Sequence, residues 1–492
     1  MNTSMVRYII GNILKIEAVF LLLPCVVAIF YKESQGWNYL LVAILSGLLG
    51  FLLSLKKPKN NIFYLKEGCI TTALSWIILS LVGCIPLYIT NEIPNLIDAF
   101  FEIVSGFTTT GATILSDVEA LSHCSLFWRC FTHWIGGMGV LVFLLAIVPM
   151  NGGSHMNLMR AESPGPTVGK LVPKLKITAR ILYVIYFVLT VVEFILLLIA
   201  GTPVFDALCL SIGTAGTGGF AVKNTSVADY SSAVIWIVSI FMFLFGVNFN
   251  MYYLILYGKL KKALLMEEVR AYVLIVTASI IGITISILSL YPSLGEALMH
   301  AAFQVTSIIS TTGFASADYE VWPGFAKSIL VILTFIGACA GSTGGGIKIS
   351  RILIAIKVFI KEITSYIHPK SIKKIQMEGK PLEDDVIRAT SVYFLTFILI
   401  FVCSFLLVAL ENKDFTTTFT AIAATLNNVG PGLEMVGPTQ NFGHFNWFSK
   451  LVMSFDMIAG RLELFPLLLL FTPAIWREHF STRIAEKKKN KH

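Results

Sequence analysis

The stretch Asp98–Thr113, DAFFEIVSGFTTTGAT, decides how this chain is read. It lies between two long apolar runs, yet it is too apolar for an ordinary linker and too irregular to span a bilayer. The pattern returns three times: DALCLSIGTAGTGGFA at Asp206–Ala221, HAAFQVTSIISTTGFA at His300–Ala315 and TTFTAIAATLNNVGPG at Thr417–Gly432. Aligned on one glycine (Gly111, Gly219, Gly313 and Gly430), the copies begin thirteen residues earlier with Asp98, Asp206, His300 and Thr417. The glycines stand 108, 94 and 117 residues apart. So long an internal period marks a repeated supersecondary unit.

The surroundings are a membrane protein's. Of 492 residues, 56% are hydrophobic and 13% charged, against about 25% charged in an ordinary soluble domain. Ten apolar runs are long enough to cross a bilayer. They lie at Tyr8–Phe30, Asn38–Ser54, Cys69–Ile89, Leu126–Met150, Ile177–Ala200, Ala233–Tyr257, Ala271–Leu290, a broken Ser328–Ile360, Ala389–Leu410 and Trp447–Ile475. A cytosolic enzyme, a secreted disulfide scaffold and a disordered chain are excluded. The first run follows Arg7 and Lys15 without an A-x-A cleavage site, so it is expected to be a retained span.

Net charge is +8, from 37 basic and 29 acidic residues. The basic residues fall in every second linker: Lys56, Lys57, Lys59 and Lys66; Arg160, Lys170, Lys174 and Lys176; Lys259, Lys261, Lys262 and Arg270; Lys361 to Arg388; and the tail from Arg477 to Lys491. By the positive-inside rule these are cytoplasmic, as are both termini. The charge is a membrane-orientation signal, and nucleic acid is not expected as a partner. All four glycine segments then lie on the outer side.

A segment of this kind can enter the bilayer and return. About 12 helical residues rise roughly 18 Å, and four or five extended residues cover about 15 Å, which fits a ~30 Å core. Non-helical backbone at that depth must line water or be buried in protein. Four such strands around one axis would present rings of carbonyl oxygens in place of an ion's hydration shell, the physical basis of a cation filter. Glycine is required because such backbone needs φ values that a Cβ resists. The helix carboxyl ends would add negative partial charge near the ion, and Asp98 and Asp206 would sit at the opposite ends. The other reading is a set of re-entrant turns without a pore. The expected architecture is an all-α polytopic membrane protein. Two accessory amino-terminal helices (1–60) precede four helix–re-entrant loop–helix pseudo-repeats (61–160, 161–262, 263–375 and 376–480) around one pore. A basic cytoplasmic tail (481–492) follows.

TTTGAT, TGGFA, STTGFA and NNVGPG, in this order, resemble the four filter segments of the Trk/Ktr/HKT superfamily of potassium transporters. The resemblance covers about residues 60 to 475. The two extra amino-terminal spans bring the chain nearer to the bacterial Trk-type pore subunit. It implies a K⁺ filter from Thr109, Thr110 and Gly111; Thr217, Gly218 and Gly219; Thr311, Thr312 and Gly313; and Asn428, Val429 and Gly430. K⁺ would be held at Thr110, Gly111, Gly218, Gly219, Thr312, Gly313, Val429 and Gly430. In this superfamily a serine at the first glycine position accompanies Na⁺ transport, so Gly111 implies K⁺. The flanking Ala112, Phe220, Phe314 and Pro431 differ, so strict fourfold symmetry is not expected.

The eighth run contains GACAGSTGGGIKISR, Gly337–Arg351, whose five glycines would break a helix. Ile347 separates Gly346 from Lys348, so no Walker GK[ST] forms. The segment reads either as a structural kink or as an intramembrane gate built on Gly341, Gly344, Gly345, Gly346 and Lys348. The resemblance supports the gate. Arg461, within the tenth run, either repels cations in the pathway or pairs with Asp456 or Glu463; the resemblance points to the pathway. Asn248 and Asn250 are candidates for the cavity wall or for helix–helix bonding. Glu102, Asp117, Glu119, Asp229, Asp318, Glu320 and Glu434 are read as an acidic outer rim. His123, Cys124, Cys130 and His133 are the one cluster to weigh as a metal site, but they lack compact zinc spacing. The other cysteines lie mostly in apolar runs, where buried thiols are expected.

The expected function is K⁺ uptake across the plasma membrane, in bacteria the inner membrane. K⁺ is the transported ion and no catalysis is expected. The resemblance also implies a homodimer with a pore in each protomer, and a cytosolic Trk-A or Ktr-A type regulatory ring that binds NAD or ATP. The alternative within the superfamily is a Na⁺- or H⁺-coupled symporter. A secondary transporter of another fold would place half-helices on both sides. An intramembrane enzyme would need a nucleophile–base or metal set, and no HExxH or GxSxG occurs.

Overall fold

The computed structural model describes residues 2–58, 64–137, 139, 175–369 and 374–473. The second half of the fourth expected span, most of the linker with Arg160, Lys170 and Lys174, Lys59, Lys370, Lys373 and the tail from 474 lie outside these residues. Among the described residues, six helices are long and apolar enough to cross a membrane: Thr3–Tyr31, Gly36–Ser54, Leu65–Ile89, Arg180–Ile199, Glu267–Leu290 and Asp384–Ala409. Their lipid-facing sides carry exposed Leu, Ile, Val and Phe.

Between the long helices sit four shorter, deeply buried ones: Leu96–Phe107, Val204–Gly216, Leu294–Ile309 and Phe415–Leu426. Each begins at a residue that stops the preceding chain. Asn95, Ser293 and Asp414 accept backbone N–H bonds at three of the starts, and Pro203 precedes the other. Acidic side chains gather at these positive ends, where the dipole favours them. Asp98 pairs with Lys450 at 2.7 Å, and Asp206 accepts from the Tyr230 hydroxyl at 2.7 Å. At Asp414, bonds from the Thr417 side chain and amide hold the carboxyl below the usual carboxylate range.

A second helix follows each short one. The first is described as His123–Gly137. The second breaks between Ser232–Gly246 and Phe249–Leu256, which meet at 90°. The third breaks between Gly324–Ile336 and Ile349–Ile367, as its glycines require. The fourth runs Trp447–Arg461 and resumes at Phe465–Leu470. The breaks in the sixth and tenth runs correct the expectation of continuous spans. At the first, Asn248 caps the outgoing helix, its Oδ1 accepting from the Asn250 amide at 2.9 Å. At the second, Glu463 and Leu464 take positive φ (+60° and +69°) and Pro466 opens the new helix. A small hairpin, Gln376–Met377 with Lys380–Pro381, joins the third unit to the fourth.

The two amino-terminal helices cross closely at glycine. A Cβ on Gly50 would stand 2.6 Å from the Gly11 carbonyl oxygen, and one on Gly11 2.8 Å from that of Gly50. Ser46 adds a bond to the Leu14 carbonyl at 3.1 Å. Small residues let helix backbones approach where lipid offers no hydrophobic drive. The hairpin is clasped to the first unit by Glu33, which accepts from the His123 and Cys124 amides at 2.7 and 3.0 Å. Replacing Gly50 by leucine should force this crossing apart at a cost of about 1–3 kcal/mol. The measurement is the thermal unfolding midpoint in detergent, expected to fall; an unchanged midpoint would refute this packing.

Candidate functional site

The four short helices end alike. The amides of Thr109, Thr217, Thr311 and Asn428 reach back three residues, to the carbonyls of Gly106, Thr214, Ile308 and Thr425 at 3.1, 2.9, 3.0 and 3.2 Å. The next amides, of Thr110, Gly218, Thr312 and Val429, reach back five, to Ser105, Gly213, Ser307 and Ala424 at 2.9, 3.0, 2.8 and 2.8 Å. This is a Schellman closure, which needs a left-handed residue and is usually glycine. Here Thr109, Thr217, Thr311 and Asn428 adopt it with φ of +56°, +54°, +59° and +56°. A β-branched residue at such φ is strained, and that strain recurs at one register in three loops; Asn428, in the fourth, tolerates it.

With the amides turned back into the helix, the carbonyls are left over. Among the described residues no N–H or O–H donates to the carbonyls of Thr110, Gly218, Thr312 or Val429. These oxygens meet the aligned glycines in cyclic order. An added Cβ on Gly111 would lie 2.1 Å from the Gly218 oxygen, and on Gly219 2.1 Å from that of Thr312. On Gly313 it would lie 2.2 Å from Val429 O, and on Gly430 2.5 Å from Thr110 O. Loop one meets two, two meets three, three meets four, and four meets one. The glycines have φ of +82°, +79°, +84° and +97°, so space and backbone conformation exclude a side chain alike. The cycle opens on a cavity of about 160 Å³.

The surroundings brace each loop differently. The His133 ring stands where a Cβ on Gly218 would be, 2.1 Å from its Cγ, which explains glycine where the other loops carry Thr110, Thr312 and Val429. His133 Nδ1 bonds the Gly106 carbonyl at 2.7 Å and Nε2 accepts from the Phe220 amide at 3.2 Å, so one neutral tautomer ties loops one and two. His123 instead bonds Glu33 at 2.9 Å, and Cys130 donates to the Phe220 carbonyl at 3.5 Å. These partners split the candidate metal cluster. Glu102 is not on the rim. It is fully buried, bound by Arg129 Nε and Nη2 at 2.9 and 2.6 Å, and accepts from Thr113 Oγ1 and the Ile114 amide at 2.8 and 2.9 Å. The Arg129 guanidinium lies 4.1 Å over the Phe220 ring. Asn428 Nδ2 joins loop four to Thr110 Oγ1 at 3.0 Å and to the Met457 carbonyl at 2.8 Å.

Glycines of the second helices pack on the ends of the short helices. Added Cβ atoms would meet the Phe107 carbonyl from Gly136 at 1.8 Å, Gly216 Cα from Gly137 at 2.8 Å and the Leu426 carbonyl from Gly460 at 2.0 Å. The segment 337–348 does the same for the third end and meets the fourth a second time. Gly344 meets the Ser310 carbonyl at 2.8 Å and Gly345 the Asn427 carbonyl at 2.6 Å. The Gly345 amide donates to Thr311 Oγ1 at 2.5 Å, so this segment touches a glycine loop directly. Gly337, Gly341 and Gly346 have φ of +70°, +69° and +75°.

The candidate gate residues meet here. Lys348, buried, donates to the Gly344 carbonyl. Arg461 donates to the carbonyls of Thr343 and Gly137, both at 2.9 Å, and to that of Gly136. Its two suggested acidic partners are engaged: Asp456 accepts from Ser404 at 2.6 Å, and Glu463 pairs with Arg351. Asn248 faces this segment, and the Phe249 amide donates to the Gly341 carbonyl at 3.0 Å. Sequence reasoning missed Glu268, His133 as a brace and Arg351. Only the glycine in place of threonine at 218 carried a signal, for His133.

Residues 38–478 match the family described as TrkH, cation transport protein. Among curated relatives, the Trk system potassium uptake protein TrkH of Salmonella typhimurium is 35% identical over 97% of this chain and 100% of its own length. The Trk system potassium uptake protein TrkG of Escherichia coli is 34% identical over the same shares. The crystal structure of the potassium transporter TrkH from Vibrio parahaemolyticus superposes with a TM-score of 0.87, at 31% identity, over 97% of this chain and 100% of that one. This chain belongs to the TrkH family of cation transport proteins.

Proposed function

We propose that the four loops are a potassium filter and that the chain is the membrane pore of a K⁺ uptake system. One observation carries the reading: the closed cycle in which each glycine admits the bare carbonyl of the next loop. Carbonyl oxygens without donors, at the carboxyl ends of four helices, replace water around a cation and add favourable partial charge. Thr110, Gly111, Gly218, Gly219, Thr312, Gly313, Val429 and Gly430 supply these oxygens. The names of the relatives, potassium uptake proteins, support K⁺ as the ion.

The segment from Gly337 to Lys348 is the gate. It lies against Thr311 and Asn428, and Arg461 holds it while placing positive charge beside the path. The units 61–160, 161–262, 263–375 and 376–480 act as four pseudo-repeats, with both termini cytoplasmic. The relatives' names speak of a Trk system, which supports a separate partner; that partner is a cytosolic regulator that binds NAD or ATP, as the resemblance of the filter segments to the superfamily implies. A homodimer with a pore in each protomer completes the reading.

The purified chain in liposomes should pass K⁺ or Rb⁺ and much less Na⁺. Gly313→Ala adds about 1–2 kcal/mol of backbone strain as well as the overlap with Val429, so K⁺ flux should fall about tenfold or more. Unchanged flux in that variant, or in Gly313→Asp, would remove the filter assignment. Deleting Gly341–Gly346 should raise basal Rb⁺ flux, and so should Arg461→Ala. A deletion variant that folds and conducts as before would end the gate reading. An Arg461→Ala chain that fails to fold would assign that arginine to structure instead.

A further inference from the structure

We infer that Glu268, in the first turn of the helix Glu267–Ile287, is the latch that holds the intramembrane loop closed, a positioning residue for gating. The inference deepens the reading of 337–348 as the gate and rests on it. Glu268 is 4% exposed. Its Oε1 accepts from the Ala340 amide at 2.6 Å and from the Ser350 amide at 3.2 Å. Its Oε2 accepts from Asn248 Nδ2 at 3.1 Å. One carboxylate therefore joins two positions on either side of Gly341–Gly346, and joins both to the break in the sixth span.

The loop's backbone explains the need. Inside a membrane every amide must find an acceptor. The Cys339 amide finds the Gly246 carbonyl at 3.1 Å, and the Ile349 amide finds that of Ala338 at 3.2 Å. The helix Ile349–Ile367 starts after Lys348, whose side chain does not cap it. A cation at a helix amino end is the wrong charge for the dipole, and a carboxylate is the right one. Glu268 supplies that charge from another helix, together with an acceptor for Ala340. Swinging the loop out of the path strands these amides and the carboxylate at once, so the closed position is favoured for as long as Glu268 is intact. Arg461 and Lys348 hold the loop through carbonyls; Glu268 holds it through amides.

The test uses the full chain in liposomes with Rb⁺ as the probe. Charge-assisted bonds of this kind are large, so Glu268→Ala should raise basal Rb⁺ uptake roughly ten- to hundredfold, and Glu268→Gln, which keeps one acceptor oxygen, roughly three- to tenfold. The Rb⁺ concentration at half-maximal uptake and the Rb⁺/Na⁺ ratio should not move, because the filter is untouched. A purely structural residue would reduce the amount of folded protein without raising flux per folded molecule. If deletion of Gly341–Gly346 raises uptake while monodisperse Glu268→Ala stays at the wild-type rate, the latch is overturned and the gate stands. If the deletion itself changes nothing, the gate reading fails. Should the alanine variant not fold, a monodisperse Glu268→Gln with wild-type uptake overturns the latch. A rise accompanied by altered half-saturation or selectivity does so too, by placing the effect in the filter.

Discussion

An oxygen atom without a donor inside a membrane is costly, and this fold keeps four of them in one closed cycle, each against the glycine of a neighbouring loop. The Schellman closure at the end of each short helix makes that possible. It spends the local amides on the helix's own last carbonyls, so the carbonyls of Thr110, Gly218, Thr312 and Val429 remain bare. The remaining features answer to that demand. Threonine and asparagine accept left-handed φ, glycine gives way to a neighbour's oxygen, and acidic residues satisfy the far ends of the helices.

The second helices follow from the same geometry. In the third and fourth of them the break falls where the helix meets the carboxyl end of a short helix, with Gly344, Gly345 and Gly460 at the contacts, and in the first Gly136 meets Phe107. A continuous helix with a Cβ there would push a short helix away and open the cycle. The segment 337–348 is the most elaborate of these breaks, touching loops three and four. The proposed gate and the proposed filter thus share one packing surface, and Thr311 belongs to both.

Much of this was legible in the sequence, because the signals are periodic or compositional. Gly111, Gly219, Gly313 and Gly430 align by eye, and the apolar runs report most of the helices. The breaks near Val247 and Glu463 were not legible, since two or three residues barely change the hydropathy of a run of 25. Glu268 resembles its neighbour Glu267, an acid in a first helical turn, and only tertiary contact separates their roles. Glu102 reads as a rim residue because it is an acid in a segment placed on the outer side, nine residues before Gly111. Its partner Arg129 lies 27 residues on, beyond any local pattern.

The ring of His133 occupying the space beside Gly218 has a bearing on how these four loops can change over time. The two positions form a lock and its key. A threonine at 218 would restore the likeness to loops one and three but has no room while the imidazole is present, and losing the imidazole unties Gly106 from Phe220. Neither position can drift alone, so the lineage of this chain reaches a more symmetric set of loops only by changing both together.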